Sequence, residues 1–167
     1  MSSDFQNSVL LNFNSRGQIS LQLPQGSQSD FYKLYIYVSI IDDSNGKTVY
    51  TFSNPVYVYP NKNQTSFLAE VYQSLFNNDP TNQLIVDLNS QSLNPVCNSV
   101  VLLASNMNSQ SVLAEPKLIN EMSKLRESLL NRVLELSLSN TSSFKMISSA
   151  VGQLTSVPEQ ISSSIGV

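Results

Sequence analysis

Histidine is absent from this sequence, and Cys97 is its single thiol. The commonest general base and metal ligand is therefore missing. Neither a Cys-His pair nor a Ser-His-Asp triad can be assembled within the chain. Cys97 stands beside Val100 and Val101 in a stretch with helical spacing, so it reads as a packing thiol rather than a nucleophile. A structural zinc site takes four nitrogen or sulfur ligands, and one thiol does not supply them. The run Asp42-Asp43-Ser44-Asn45-Gly46 is acidic enough to suggest calcium. Its spacing is not that of the D-x-D-x-D-G loop, no bidentate glutamate follows at the right distance, and a turn is the better reading. The five glycines are spread far apart and form no phosphate cradle. These residues predict a protein that is not an enzyme, with no catalytic residue, cofactor or metal.

Surface chemistry is better represented. Asn63-Gln64-Thr65 and Asn140-Thr141-Ser142 both satisfy the N-glycosylation pattern, making Asn63 and Asn140 candidate acceptors. The pattern arises easily in a chain so rich in Asn, Ser and Thr, and Thr65 and Thr141 also fit as helix caps. Tyrosines recur at positions 32, 35, 37, 50, 57 and 59. Tyr35, Tyr37, Tyr57 and Tyr59 are a candidate interaction surface, although cross-strand pairing with wet hydroxyls is the commoner use of such residues. Glu121, Glu127 and Glu135, interleaved with Lys124, Arg126 and Arg132, read as the solvated face of a helix.

The elements that carry these residues divide the chain in two. Residues 33–41 are aromatic, β-branched or leucine apart from Lys33 and Ser39, and they alternate as a half-buried strand does. Leu34, Ile36, Val38 and Ile40 fall on one face, with Tyr35, Tyr37, Ser39 and Ile41 on the other. Asn45-Gly46 is a strong hairpin signal, because a type I′ turn needs positive φ at both central residues. Residues 47–52 return, Asn54-Pro55 interrupts the ladder, and residues 56–59 continue as an edge or switched strand. Residues 9–13 and 18–23 are two further short strands around Asn14-Ser15-Arg16-Gly17. A bare two-stranded hairpin is marginal in water, so a sheet or helices are expected against this one.

Beyond Asn61 the apolar period changes from two to about 3.6, which marks a boundary. Thr65 is the expected cap of a helix lined by Phe67, Leu68, Val71 and Leu75. Asp79-Pro80 and Asn94-Pro95 each place a capping side chain before a proline at the first helical position. The first is expected to open a helix with Leu84, Ile85 and Leu88 inward, the second one with Cys97, Val100, Val101 and Ala104 inward. Glu115-Pro116 starts the longest helix, through Leu118, Met122, Leu125, Leu129, Val133 and Leu136. Asn140 or Thr141 caps the last, with Phe144, Ile147, Val151 and Leu154 inward, before Val157-Pro158 ends it. Residues 162–167 are expected to fray. The fold class is α+β: residues 1–60 form an antiparallel β module, a partial immunoglobulin- or fibronectin-III-like sheet, and residues 61–167 a module of about five helices.

Composition limits the partners. The chain has 167 residues, 41% of them hydrophobic and 13% charged, with a net charge of −3 and nine scattered basic residues. That balance argues against a nucleic-acid surface. No apolar run reaches the 18 or more residues of a spanning helix. Residues 1–4 lack a signal pattern, which leaves an intracellular protein or a piece of a longer one. Protein partners or neighbouring domains are the expected contacts.

One order of motifs resembles a known family. Leu23-Pro24-Gln25-Gly26, the long strand Tyr35-Ile36-Tyr37-Val38-Ser39-Ile40-Ile41-Asp42, Asn45-Gly46 and Val56-Tyr57-Val58 come first. The helical segments at residues 125–130 and 151–160 follow. Together they look like the end of the REJ (receptor for egg jelly) region of polycystin-1-like proteins, leading into the helical GAIN-type segment. The resemblance spans most of residues 18–160. It implies a non-enzymatic extracellular module, on the ciliary or plasma membrane, that binds partners or serves a mechanical or assembly role. No His-Leu-Ser/Thr triplet is present, so the resemblance implies a chain that stops before that family's self-cleavage point. The alternative expectation is a cytoplasmic scaffold or adaptor of a ciliary or filamentous assembly, whose open sheet edge pairs with a partner.

Overall fold

A computed structural model describes residues 22–41, 46–60, 63–109, 118–137, 141–158 and 161. Four strands come first: β1 (Lys33–Leu34), β2 (Tyr37–Ile41), β3 (Lys47–Thr51) and β4 (Val56–Tyr57). Five helices follow: α1 (Gln64–Phe76), α2 (Gln83–Asn89), α3 (Leu93–Met107), α4 (Ile119–Leu134) and α5 (Thr141–Leu154). The arrangement is α+β, as the change of period predicts.

The helices form a core around α3. Its apolar positions run through Val96, Cys97, Val100, Val101, Leu103, Ala104 and Met107, too many for one stripe, and no residue of α3 is exposed. A helix apolar on most sides must be surrounded. Here α1, α2, α4 and α5 surround it, α5 most extensively. Leu68, Val71 and Leu75 of α1, Ile85 and Leu88 of α2, and Met122, Leu125, Leu129 and Val133 of α4 fill the space around it. Each such side chain contributes about 1.5–3 kcal/mol on leaving water.

The cap positions differ from expectation in instructive ways. Helix α1 begins at Gln64 after Asn63, so Thr65 lies within the first turn instead of capping it. Asp79 does not open α2. Its carboxylate accepts from the Thr81 amide at 2.9 Å and from the Thr81 hydroxyl at 2.8 Å. These bonds hold the Asp79 pKa low. The cap of α2 is Asn82, whose side chain accepts from the Leu84 amide at 3.1 Å. Asn94 does not cap α3 either: the helix starts at Leu93 behind Ser92, so Asn94 and Pro95 are its second and third residues, in a first turn that needs no intrahelical donor. The inward face of α5 is Ser143, Met146, Ala150 and Leu154, with Ile147 and Val151 half-buried. Phe144, expected inward, is 59% exposed. Buried Ser143 and Ala150 share this inward face, on the helix that makes the most extensive contact with α3.

Arg126 is the largest correction. It is not on a solvated face: it is 2% exposed. Its guanidinium donates to the Leu154 carbonyl at 2.6 Å and to Asn108 Oδ1 at 2.6 Å. Leu154 is the last residue of α5, where carbonyls lack intrahelical partners, and Asn108 follows α3. One planar, five-donor group thus ties the ends of α3 and α5 to the middle of α4. Burial pushes its pKa down to about 10, so it stays cationic through neutral pH. Arg132 does similar work in the last turn of α4, donating to the Leu88 carbonyl at 3.2 Å and to Asn89 Oδ1.

The strands form two separate two-stranded ladders. β1 pairs antiparallel with β4, and β2 with β3. The expected continuous strand 33–41 is broken at Tyr35-Ile36, where the chain leaves one ladder for the other. Tyr37↔Thr51 to Ile41↔Lys47 sets the hairpin register. The expected cover is not found: Val38, Ile40, Val49 and Tyr50 are 40–56% exposed, so neither face of the hairpin is buried. Gln22 and Leu23 have no regular structure. The expected strands at 9–13 and 18–21, the turn at 42–45, the Glu115-Pro116 helix start, Asn140 and the 162–167 tail lie outside the described residues.

Arg126→Ala strands the Leu154 and Asn108 acceptors and empties the space filled by the stem, and is expected to cost about 2–4 kcal/mol. Lys124→Ala, on the exposed side of the same helix, is expected to stay within about 0.5 kcal/mol. Urea unfolding followed by circular dichroism measures both.

Candidate interaction surface

A backbone knot gathers the tyrosines. After a 3-10 turn at Gln28–Asp30, Phe31 and Tyr32 adopt φ of 52° and 61°. Left-handed backbone in two successive non-glycine residues is strained and needs neighbours to hold it. The neighbours are present. The Tyr32 amide donates to the Ser27 carbonyl at 2.8 Å, and the Tyr32 carbonyl accepts from Val58 at 3.0 Å. The Val58 carbonyl in turn accepts from the Gly26 amide at 3.0 Å. Gly26 is required by proximity: a Cβ there would lie 2.3 Å from the Tyr32 carbonyl oxygen. The knot sets the Tyr32 ring 5.3 Å from that of Tyr59, whose own ring stacks on Tyr57 at 6.4 Å. Tyr57 and Tyr59 are 50% and 65% exposed, so the cluster presents its rings to solvent.

Below the knot, the β layer joins the helices through polar groups. Gln64, at the start of α1 and 5% exposed, donates to Gln25 Oε1 at 3.1 Å and to the Asn106 carbonyl at 2.9 Å. The Gln25 amide donates to Ser105 Oγ at 3.2 Å. Ser105 and Asn106 side chains donate back to the Leu102 carbonyl near the end of α3. Gln25, Tyr59, Phe67 and Asn106 help line an open hollow of about 210 Å³ at this junction.

The four tyrosines singled out by spacing do not form one surface. Tyr57 and Tyr59 belong to the cluster. Tyr35 is 50% exposed in the break between ladders, and Tyr37 is half-buried opposite Thr51. Tyr32 is the member that spacing alone does not single out from the rest, since a left-handed turn brings it to Tyr59. The Pro24-Gln25-Gly26-Ser27 break is its sequence signal. Asn63 is exposed immediately before α1, and its carbonyl accepts from Phe67 at 2.9 Å. Cys97 is 1% exposed, and desolvation pushes its thiol pKa up to about 11. Among the described residues no group of three or more acidic or thiol ligands converges, and no helix is long and apolar enough to cross a membrane.

No family model, curated protein or solved structure matches this chain.

Gly26→Ala forces its new methyl against backbone, and is expected to cost about 1–3 kcal/mol while diminishing the near-ultraviolet circular dichroism of the stacked tyrosines. Cys97 binds its proton more tightly folded than unfolded. Its contribution is therefore full below about pH 9, falls as pH rises, and levels off above about 11. Cys97→Ala is expected to flatten that alkaline loss in pH-dependent urea unfolding, and the native thiol to react with Ellman's reagent only as the protein unfolds.

Proposed function

We propose that the chain is a non-catalytic interaction module of the outer face of a polycystin-like membrane protein, presenting its β layer to a protein partner. One observation carries this reading: the buried core is made by the helices, while the β layer leaves many of its large apolar side chains in water. Tyr35, Ile40, Tyr50, Phe52, Tyr57 and Tyr59 are each at least half exposed. Aromatic side chains are enriched at protein-binding sites, and tyrosine serves there because its ring packs while its hydroxyl stays wet. The strained knot supports the same assignment, since strain persists where a shape is used. The REJ-like order of motifs supplies the extracellular placement, and exposed Asn63 is the glycan acceptor that placement calls for.

The test uses chain purified from its native source. A glycosidase-sensitive mass on Asn63 is expected, and its absence favours the cytoplasmic scaffold instead. Immobilised wild-type chain is expected to retain a cell-surface protein that a Tyr57→Ser/Tyr59→Ser variant of equal thermal stability does not. Equal retention by both chains overturns the proposal.

A further inference from the structure

The side chain of Gln64 joins three segments of the chain. Gln64 is the first residue of α1 and is buried. Its Nε2 donates to the Asn106 carbonyl at 2.9 Å and to Gln25 Oε1 at 3.1 Å, with Asn106 Oδ1 a longer third contact at 3.4 Å. An amide nitrogen carries two hydrogens, so the two shorter bonds use both. The bond to Asn106 has a local reason, because carbonyls in the last turn of a helix lack intrahelical partners. The bond to Gln25 leads elsewhere, into the knot that gathers the tyrosines.

Gln25 precedes Gly26, whose amide donates to the Val58 carbonyl, and the Val58 amide donates to the Tyr32 carbonyl. Val58 stands between Tyr57 and Tyr59. Gly26 lies so near Tyr32 that a Cβ there would clash with its backbone. Atoms already in contact pass a displacement on rather than absorb it. A shift of Gln25 therefore reaches Val58 and Tyr32, and with them the Tyr32–Tyr59 and Tyr57–Tyr59 ring pairs. Apolar packing sets this spacing only weakly. Val58 and Tyr59 line the hollow of about 210 Å³ together with Phe67 and Leu102, and a void forfeits contact across it. Hydrogen bonds to a buried amide are directional, and leaving them unmade is costly.

We infer that Gln64 is a positioning residue for the tyrosine surface: from the helical body, through Gln25 and Gly26, it holds the segment that carries Tyr57 and Tyr59. The end of α3 that it grips at Asn106 is also the end that Asn108 ties to Arg126. The ring cluster and the gathered helix ends thus share one support, and the surface belongs to the whole fold. This deepens the reading of the tyrosines as an interaction surface and rests on it. The test uses no partner, so its failure is separable from failure of the partner-retention experiment.

Gln64→Met keeps the length of the stem and removes both donors. In the full chain it is expected to speed hydrogen exchange of the Gly26 and Val58 amides roughly tenfold, the equivalent of one hydrogen bond, with α4 and α5 exchanging as in wild type. The near-ultraviolet circular dichroism of the tyrosines is expected to diminish with it. Gln25→Met removes the acceptor from the other side and is expected to reproduce both changes. Ile85→Val destabilises the core from within α2, away from this junction, and is expected to leave the tyrosine signal intact. An unchanged tyrosine signal in both methionine variants overturns the inference. So does exchange that accelerates evenly over the helices, or an equal loss of signal in Ile85→Val, since either marks Gln64 as a residue of general stability alone.

Discussion

Everything in this fold depends on keeping α3 out of water. Its apolar residues cover most of its sides, and four other helices close around it. Burial alone does not fix where those helices end. Arg126 supplies that constraint by giving one rigid cation to carbonyl and amide oxygens at two helix ends. A guanidinium so deeply desolvated is expensive unless its donors are used, and this makes the arrangement specific as well as tight.

The β layer obeys a different economy. It contributes little to the buried core, and the two ladders are short. Directional bonds hold it in place: the Gly26–Val58–Tyr32 backbone relay above, and the Gln25, Gln64, Ser105 and Asn106 contacts below. Such a junction fixes position without consuming apolar surface. The rings of Tyr57 and Tyr59 consequently stay exposed.

The change from strand to helix between Tyr57 and Gln64 was legible because period two and period 3.6 are distinct patterns. The inward residues of α1 to α4 were legible for the same reason, and Cys97 followed from its neighbours. Phe144 was misread because hydrophobicity alone was weighed: the buried face of α5 carries the small residues Ser143 and Ala150 beside Met146 and Leu154. Arg126 was misread because a charge in a helical pattern is normally solvated, and the acceptors that reverse this lie 18 and 28 residues away. Tyr32 joined the tyrosine cluster only through two left-handed residues that no local propensity favours.

By itself, the sequence determined which segments coil, which lie flat and which apolar stripes must be hidden, because periodicity is a local property. Only the tertiary structure decided that one long strand would split between two ladders, that the hairpin would stay bare, and that a buried arginine would bind the helix ends together. Those outcomes depend on partners distant in sequence, and their energies exist only once the chain has brought them into contact.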